Sequence, residues 1–177
     1  MKMHHRQTRA YNIASKYIGV KEIKGPDDNQ QIVKWFAQVG HSWVDNDETA
    51  WCAAFLGACL EDAGLKSTRA LNARSYLDWG VPVMKHEARP GDILVFWRVS
   101  PSSWQGHVGF YVAESQAQYH VLGGNQSDMV RKSWYSKKQL LGIRRYPAPL
   151  GEIEDGCWTR FMRSAISGGD SKLRNAR

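Results

Sequence analysis

Cysteine is scarce in this sequence: Cys52, Cys59 and Cys157 are the three in 177 residues. They form no C-x-x-C pair, and an odd number argues against a disulfide framework. Cys52 and Cys59 lie about two turns apart on one expected helix, too far to bridge each other. No second ligand pair accompanies them, so neither a metal site nor a cofactor is expected, and a reducing compartment at synthesis fits. Long apolar runs are missing too. Mean hydropathy is −0.51, and no stretch approaches the ~20 apolar residues that a membrane-crossing helix needs. The opening "MKMHHRQTRAYNIA" is basic but lacks an apolar core and a small-residue cleavage site, so no secretory signal peptide is expected. Internal repeats and long low-complexity segments are also lacking.

What is present describes an ordinary globular chain, 42% hydrophobic and 23% charged, long enough to bury a core without staples. The formal charge is +7 and the isoelectric point about 9.4, which favours an anionic partner. Nucleic acid, a membrane surface and an anionic cell-wall polymer all satisfy that charge. The basic residues are scattered, with mild clusters at Arg131-Lys132, Lys137-Lys138, Arg144-Arg145 and the C-terminal tail. No nucleic-acid-binding module is recognisable, so no nucleic-acid partner is expected.

Periodicity divides the chain into helices followed by strands. In "TRAYNIASKYIG", Ala10, Ile13, Ala14, Tyr17 and Ile18 recur at helical spacing up to Gly19. "GPDDN" offers Asp28 or Asn29 as a cap for "NQQIVKWFAQVG". A polar connector, "HSWVDNDE", leads into "TAWCAAFLGACLEDAG", a central helix stopped by Gly64, and "STRALNARSYLDWG" gives a further short helix. From "RPGDILVFWRVS" onward, β-branched and aromatic residues alternate between turn signals, with strands expected at 92–99, 107–113, 118–123, 130–133 and 142–146. The order defines an α+β fold: N-terminal helices packed on a mostly antiparallel sheet of about five strands. Residues 1–150 form the expected domain, and 151–177 a basic C-terminal extension, partly flexible.

Cys52 supports two readings. With Phe55, Leu56, Cys59, Leu60 and Ala63 it continues one helical face, and cysteine packs well as a small hydrophobe. Thr49, however, is a good N-cap, which puts Ala50, Trp51 and Cys52 in the first turn. There the free backbone N–H groups and the helix dipole favour a thiolate, lowering the pKa from about 8.5. A thiolate nucleophile needs a base and a group that orients the base. If 108–113 and 118–123 form an antiparallel hairpin, His107 meets Gly123, Gly124 and Asn125. His120 then falls near Val112, about 17 Å away at ~3.3 Å per residue. An Asn125 carbonyl can accept from one imidazole nitrogen while the other faces the thiol. Taken singly, His107 also reads as a structural residue and Asn125 as a turn residue.

The segments "TAWCAAFLGACLEDAG", "NARSYLDWG", "RPGDILVFWR", "GHVGFYV" and "VLGGNQSDMVRKSWY" occur in the order seen in NlpC/P60 and CHAP-type cysteine peptidases. Over about residues 11–147 the chain resembles that superfamily, and within it the small CHAP-like group of phages and prophages. The resemblance implies a papain-like α+β fold that cleaves peptidoglycan within or at the base of the stem peptide. Cys52 matches the nucleophile, His107 the general base and acid, and Asn125 the orienting polar residue, with His120 and Gln126 as rivals for the last role. Trp51, Arg74, Ser75 and Trp104 are the implied lining of the substrate groove. For Trp51 and Trp104 a core position is the alternative, and for Arg74 a surface ion pair. Bacterial peptidoglycan is the expected partner and a monomer the expected state. The expected route is synthesis in a host cytoplasm and action on the wall after release or delivery.

Overall fold

Asn29 shows how literally this chain executes its local signals. Its backbone is extended, and its side chain accepts from the Gln31 N–H at 3.0 Å, capping helix α2 (Gln30–Gln38). The computed structural model describes residues 5–147, so Cys157 and the expected extension at 151–177 lie outside the described residues. Helix α1 spans His5–Lys16 and α3 spans Cys52–Asp62. The expected helix around "NARSYLD" is a 3-10 helix, Ala73–Asp78, whose cap Asn72 accepts from the Arg74 N–H at 2.8 Å.

Six strands follow: β1 (Val81–Pro82), β2 (Ile93–Trp97), β3 (Gly106–Glu114), β4 (Gln118–Gly123), β5 (Arg131–Ser136) and β6 (Leu140–Arg145). They form one sheet in the order β1-β6-β2-β3-β4-β5, and every pairing is antiparallel. The sheet has one strand more than expected because Val81–Pro82 pairs with Arg144–Arg145 at an edge, where a proline costs no ladder bond. In the β3–β4 hairpin Phe110 faces Leu122, the expected register. A bulge between Tyr111 and Ala113 puts His120 opposite Ala113 rather than Val112.

Helix α3 departs from the expected one-sided stripe. Every residue from Cys52 to Leu60 is buried, because α1 and α2 pack on it from one side and β3 from the other. Ala53, Ala54, Gly57 and Ala58 are small enough to permit that enclosure. The main core joins this helix to Ile93, Val95, Val108, Phe110 and Leu122 on one sheet face. A second cluster of Leu94, Phe96, Tyr111, Tyr119, Val121 and Ile143 forms on the alternate strand positions.

Buried polar groups bind the layers together. Gln7 of α1 donates from Nε2 to the Gly91 carbonyl at 2.9 Å and accepts at Oε1 from the Tyr146 N–H at 2.9 Å. Arg145 and Asp92 form a buried two-bond ion pair at 2.8 and 2.7 Å, and Asp92 also accepts from the Arg89 N–H. Asp47, in the polar connector, accepts from the Ile23 and Asn29 N–H groups. That ties the loop before α2 to the loop before α3. The compact unit so formed ends at Pro147.

Candidate active site at the start of helix α3

The cap of α3 is not Thr49. Thr49 Oγ1 and N–H both donate to Asn46 Oδ1, closing a turn, and the helix begins three residues later with Trp51 at the cap position. Trp51 supplies no side-chain cap, so the first N–H groups of the helix stay open. Cys52 is therefore the first helical residue, closer to those donors than the sequence suggested. The backbone amides of Cys52 itself, of Ala53 and, on β3, of Val108 favour its thiolate form. Tyr76 donates to the Ala53 carbonyl at 3.2 Å and fixes the same turn to the 3-10 helix.

Val108 follows His107 directly, so the influence of the Val108 amide on the thiol sets Cys52 beside the His107 segment of β3. Gly106, just before it, lets β3 lie close to β2 and the 3-10 helix: a Cβ there would stand 2.9 Å from the Phe96 carbonyl oxygen and 3.0 Å from Arg74 Cγ. The His107 ring stacks on Tyr135 with centroids 4.8 Å apart and planes 10° from parallel. Tyr135 in turn stacks on Phe96 at 5.0 Å. Both side chains are enclosed, Cys52 at 7% exposure and His107 at 1%.

The polar neighbour of His107 is Gln126. A Cβ on Gly123 would lie 3.3 Å from His107 Nε2 and 3.4 Å from Gln126 Cδ, which locates the two side chains on either side of one small space. Gln126 is buried, and its Nε2 donates to the carbonyls of Val121 (3.3 Å), Gly123 (3.1 Å) and Arg131. With the amide nitrogen so committed, Oε1 is the free end, and neither it nor either ring nitrogen completes an aligned bond to protein. The Gln126 side chain nevertheless favours a proton on the His107 ring.

Asn125 was the expected partner, and no hydrogen bond joins it to His107 among the described residues. Beyond Gly123 the strand ends, and Asn125 turns the chain with φ +52°. Gly124 is pressed against the core there, where a Cβ would sit 2.5 Å from Trp51 Cζ3. One residue later, Gln126 comes back under the histidine. His120 is remote from this arrangement and stacks on Trp134 at 4.4 Å.

Burial sets the ionisation of the pair. It pushes the Cys52 thiol up, outweighing the Arg98 charge and the backbone amides of Val108, Ala53 and Cys52 that pull it down. This reverses the lowering expected from the helix start alone. Burial, with the Arg98 charge adding to it, pulls His107 down to about 3, and Gln126 opposes it. At neutral pH the resting pair is a thiol beside a neutral imidazole. Tyr135, pushed up to about 12 chiefly by burial, is a neutral phenol.

The four expected groove residues separate. Trp51 is fully buried against Trp35 and Phe55, and its Nε1 donates to Glu22 at 2.7 Å, so it is core rather than groove. Arg74 spends its guanidinium on the carbonyls of Pro101 and Ser103, bracing the β2–β3 loop. Ser75 shares a 2.9 Å hydrogen bond with Thr68. Trp104 alone is open, 73% exposed on that loop. Arg98 and Tyr135 were missed. Alternation along "RKSWYS" puts Tyr135 in line with Arg131 and Ser133, but the strand was expected to stop at 133. No metal-holding group of three or more His, Cys, Asp or Glu residues occurs among the described residues. No described helix is long and apolar enough to cross a membrane.

No family model and no curated protein matches this sequence. Solved structures do match it. A lipoprotein-like protein of the NLP/P60 family from Staphylococcus aureus aligns at 17% identity and TM-score 0.53, covering 84% of this chain and 43% of that one. NlpC2 from Trichomonas vaginalis aligns at 19% identity and TM-score 0.52, covering 84% and 49%. The P60 domain of an antigen from M. avium subspecies paratuberculosis aligns at 14% identity and TM-score 0.51, covering 82% and 97%. The chain thus spans less than half of the first two proteins and nearly all of the third. Helices on an antiparallel sheet, with a cysteine opening the central helix, define a papain-like α+β protein. More narrowly, its fold is the NlpC/P60 fold.

Proposed function

We propose that this protein is a cysteine hydrolase of bacterial peptidoglycan, with Cys52 as nucleophile, His107 as general base and acid, and Gln126 as the residue that orients the imidazole. The observation that carries this reading is buried Cys52 at the open first turn of α3, next to the backbone of Val108, the residue that follows buried His107. In the reaction, Cys52 sulfur bonds to the amide carbonyl carbon while its proton passes to His107. The imidazolium then protonates the leaving amine as the C–N bond breaks, and water hydrolyses the thioester. The Cys52 and Ala53 N–H groups are suited to the oxyanion of the tetrahedral intermediate. A proton held on Nε2, the ring nitrogen beside Gly123 and Gln126, leaves Nδ1 to exchange the proton, and a small ring shift lets the amide oxygen stabilise the imidazolium.

In biological terms this is a CHAP-like lytic enzyme of phage or prophage type, made in a host cytoplasm and active on the wall once released. A cell-wall-degrading effector delivered by a secretion system uses the same chemistry. The net charge of +7 favours approach to anionic wall polymers. A second reading, a non-catalytic wall-binding module, draws on the burial of Cys52 and His107. Loss of turbidity of permeabilised Gram-negative cells separates the two. The wild type clears the suspension and Cys52→Ala does not; equal clearing, or none by either, rejects the hydrolase. His107→Ala abolishes clearing while His120→Ala keeps most of it.

A further inference from the structure

The His107 ring is buried, yet neither Nδ1 nor Nε2 completes a hydrogen bond among the described residues. The second side-chain torsion of histidine is broad and fixes no ring plane by itself. Packing must therefore set the plane, and the packing is aromatic. The Tyr135 ring lies flat on the imidazole, with centroids 4.8 Å apart and planes 10° from parallel. Tyr135 also stacks on Phe96 at 5.0 Å, and Phe96 is the β2 residue paired with His107. A ring from the edge strand β5 is thus braced on the neighbour of the side chain it covers. Strand β4 lies between β3 and β5, and Gly109 and Gly123 adjoin the Phe110–Leu122 pair that joins β3 to β4. A Cβ on Gly123 would stand 3.3 Å from His107 Nε2, and one on Gly109 2.6 Å from Val121 Cγ1. Side chains at either position would intrude on this layer.

We propose that Tyr135 is a positioning residue: its ring sets the plane of the His107 imidazole and steadies the imidazolium formed when Cys52 gives up its proton. The inference rests on the proposed role of His107 as base and acid. A parallel stack lets the imidazole slide in its own plane, toward Gln126, and resists tilting out of it. Gln126 then governs the proton and Tyr135 the plane. The stack also gains on proton transfer, because a cation within ~6 Å of an aromatic face is attracted to it. That attraction is weaker for the neutral resting ring, so it favours the charged intermediate over the ground state. The phenol itself stays protonated at neutral pH, since burial pushes it up to about 12. The ring acts, not the hydroxyl, so phenylalanine can replace Tyr135 and leucine cannot.

Kinetics on soluble peptidoglycan fragments and NMR of the histidine rings test this together. Tyr135→Leu should lower kcat on the order of 10²-fold with KM unchanged, the mark of a reacting group held out of place. Tyr135→Phe should keep most of the rate. Tyr119→Leu is the packing control, because Tyr119 pairs with Tyr135 and its ring meets Phe96 and Tyr111 rather than His107. It should lower the thermal midpoint and keep kcat at a temperature where every variant is folded. In NMR spectra the His107 ring protons, assigned by connectivity to their own backbone, should be shifted upfield by the Tyr135 ring. The shift should persist in Tyr135→Phe and vanish in Tyr135→Leu, and the wild-type measurement needs no variant to fold. Unshifted wild-type protons, an unchanged kcat in Tyr135→Leu, or an equal loss in Tyr119→Leu overturns the assignment. Shifted protons with no cleavage by the wild type reject the hydrolase while upholding Tyr135 as the residue that sets the ring. Cleavage with unshifted protons does the reverse.

Discussion

His107 predicts a pH dependence of stability large enough to measure. In the folded chain its pKa is about 3, against 6.5 for a free imidazole. Below pH ~6.5 the unfolded chain takes up a proton that the folded chain refuses, so stability falls as pH falls. The penalty is absent above that value, grows between about 6.5 and about 3, and is constant below. At ~1.4 kcal/mol per pH unit its ceiling is roughly 5 kcal/mol, and at pH about 5 it is already roughly 2 kcal/mol. Against a typical domain stability of about 5–15 kcal/mol, that is a large fraction. Urea unfolding of wild type and His107→Asn at pH about 7.5 and 5 isolates it. The other titrating groups are common to both proteins and cancel in the difference. The wild type should lose roughly 2 kcal/mol more than the variant over that interval. Equal losses would refute the enclosure of a neutral imidazole.

Three substitutions probe neighbouring parts of the account. Gln126→Ala should reduce release of dye from labelled peptidoglycan on the order of 10²-fold, while Asn125→Ala stays close to wild type; the opposite order would return the orienting role to Asn125. Gly124→Ala drives a Cβ to within 2.5 Å of Trp51 and 2.8 Å of Phe55, and should lower stability in urea by about 1–3 kcal/mol. Arg145→Met leaves Asp92 buried and charged without its partner, at a cost of about 3–5 kcal/mol. Asp92→Leu added to it should recover much of that loss, and no recovery would show that the pair is not the cause.

The parts of this molecule that could be read from sequence are those fixed by local patterns. Asn29 caps its helix as its side chain dictates, and β4 runs over residues 118–123 as its alternation indicates. The hairpin register that sets Phe110 opposite Leu122 followed from the turn between two alternating strands. What failed depended on contacts between elements. Thr49 has the chemistry of a cap, but Asn46 captures its hydroxyl and N–H first. Helix α3 is enclosed on all sides, so its apolar stripe could not reveal that burial would raise the Cys52 thiol rather than lower it. Continuing the β3–β4 register past Gly123 gave Asn125. Past Gly123 the register does not continue: the chain turns there, with Gly124 against Trp51, and sets Gln126, one of the rivals, near His107.

The central claim is that Cys52 attacks an amide bond of peptidoglycan. Mass spectrometry of purified sacculi digested with wild type and with Cys52→Ala tests it most directly. Soluble fragments are expected from the wild type alone, each ending at one cleaved amide with the mass of one added water. Identical fragments from both proteins, or cleavage at glycosidic bonds, would contradict it.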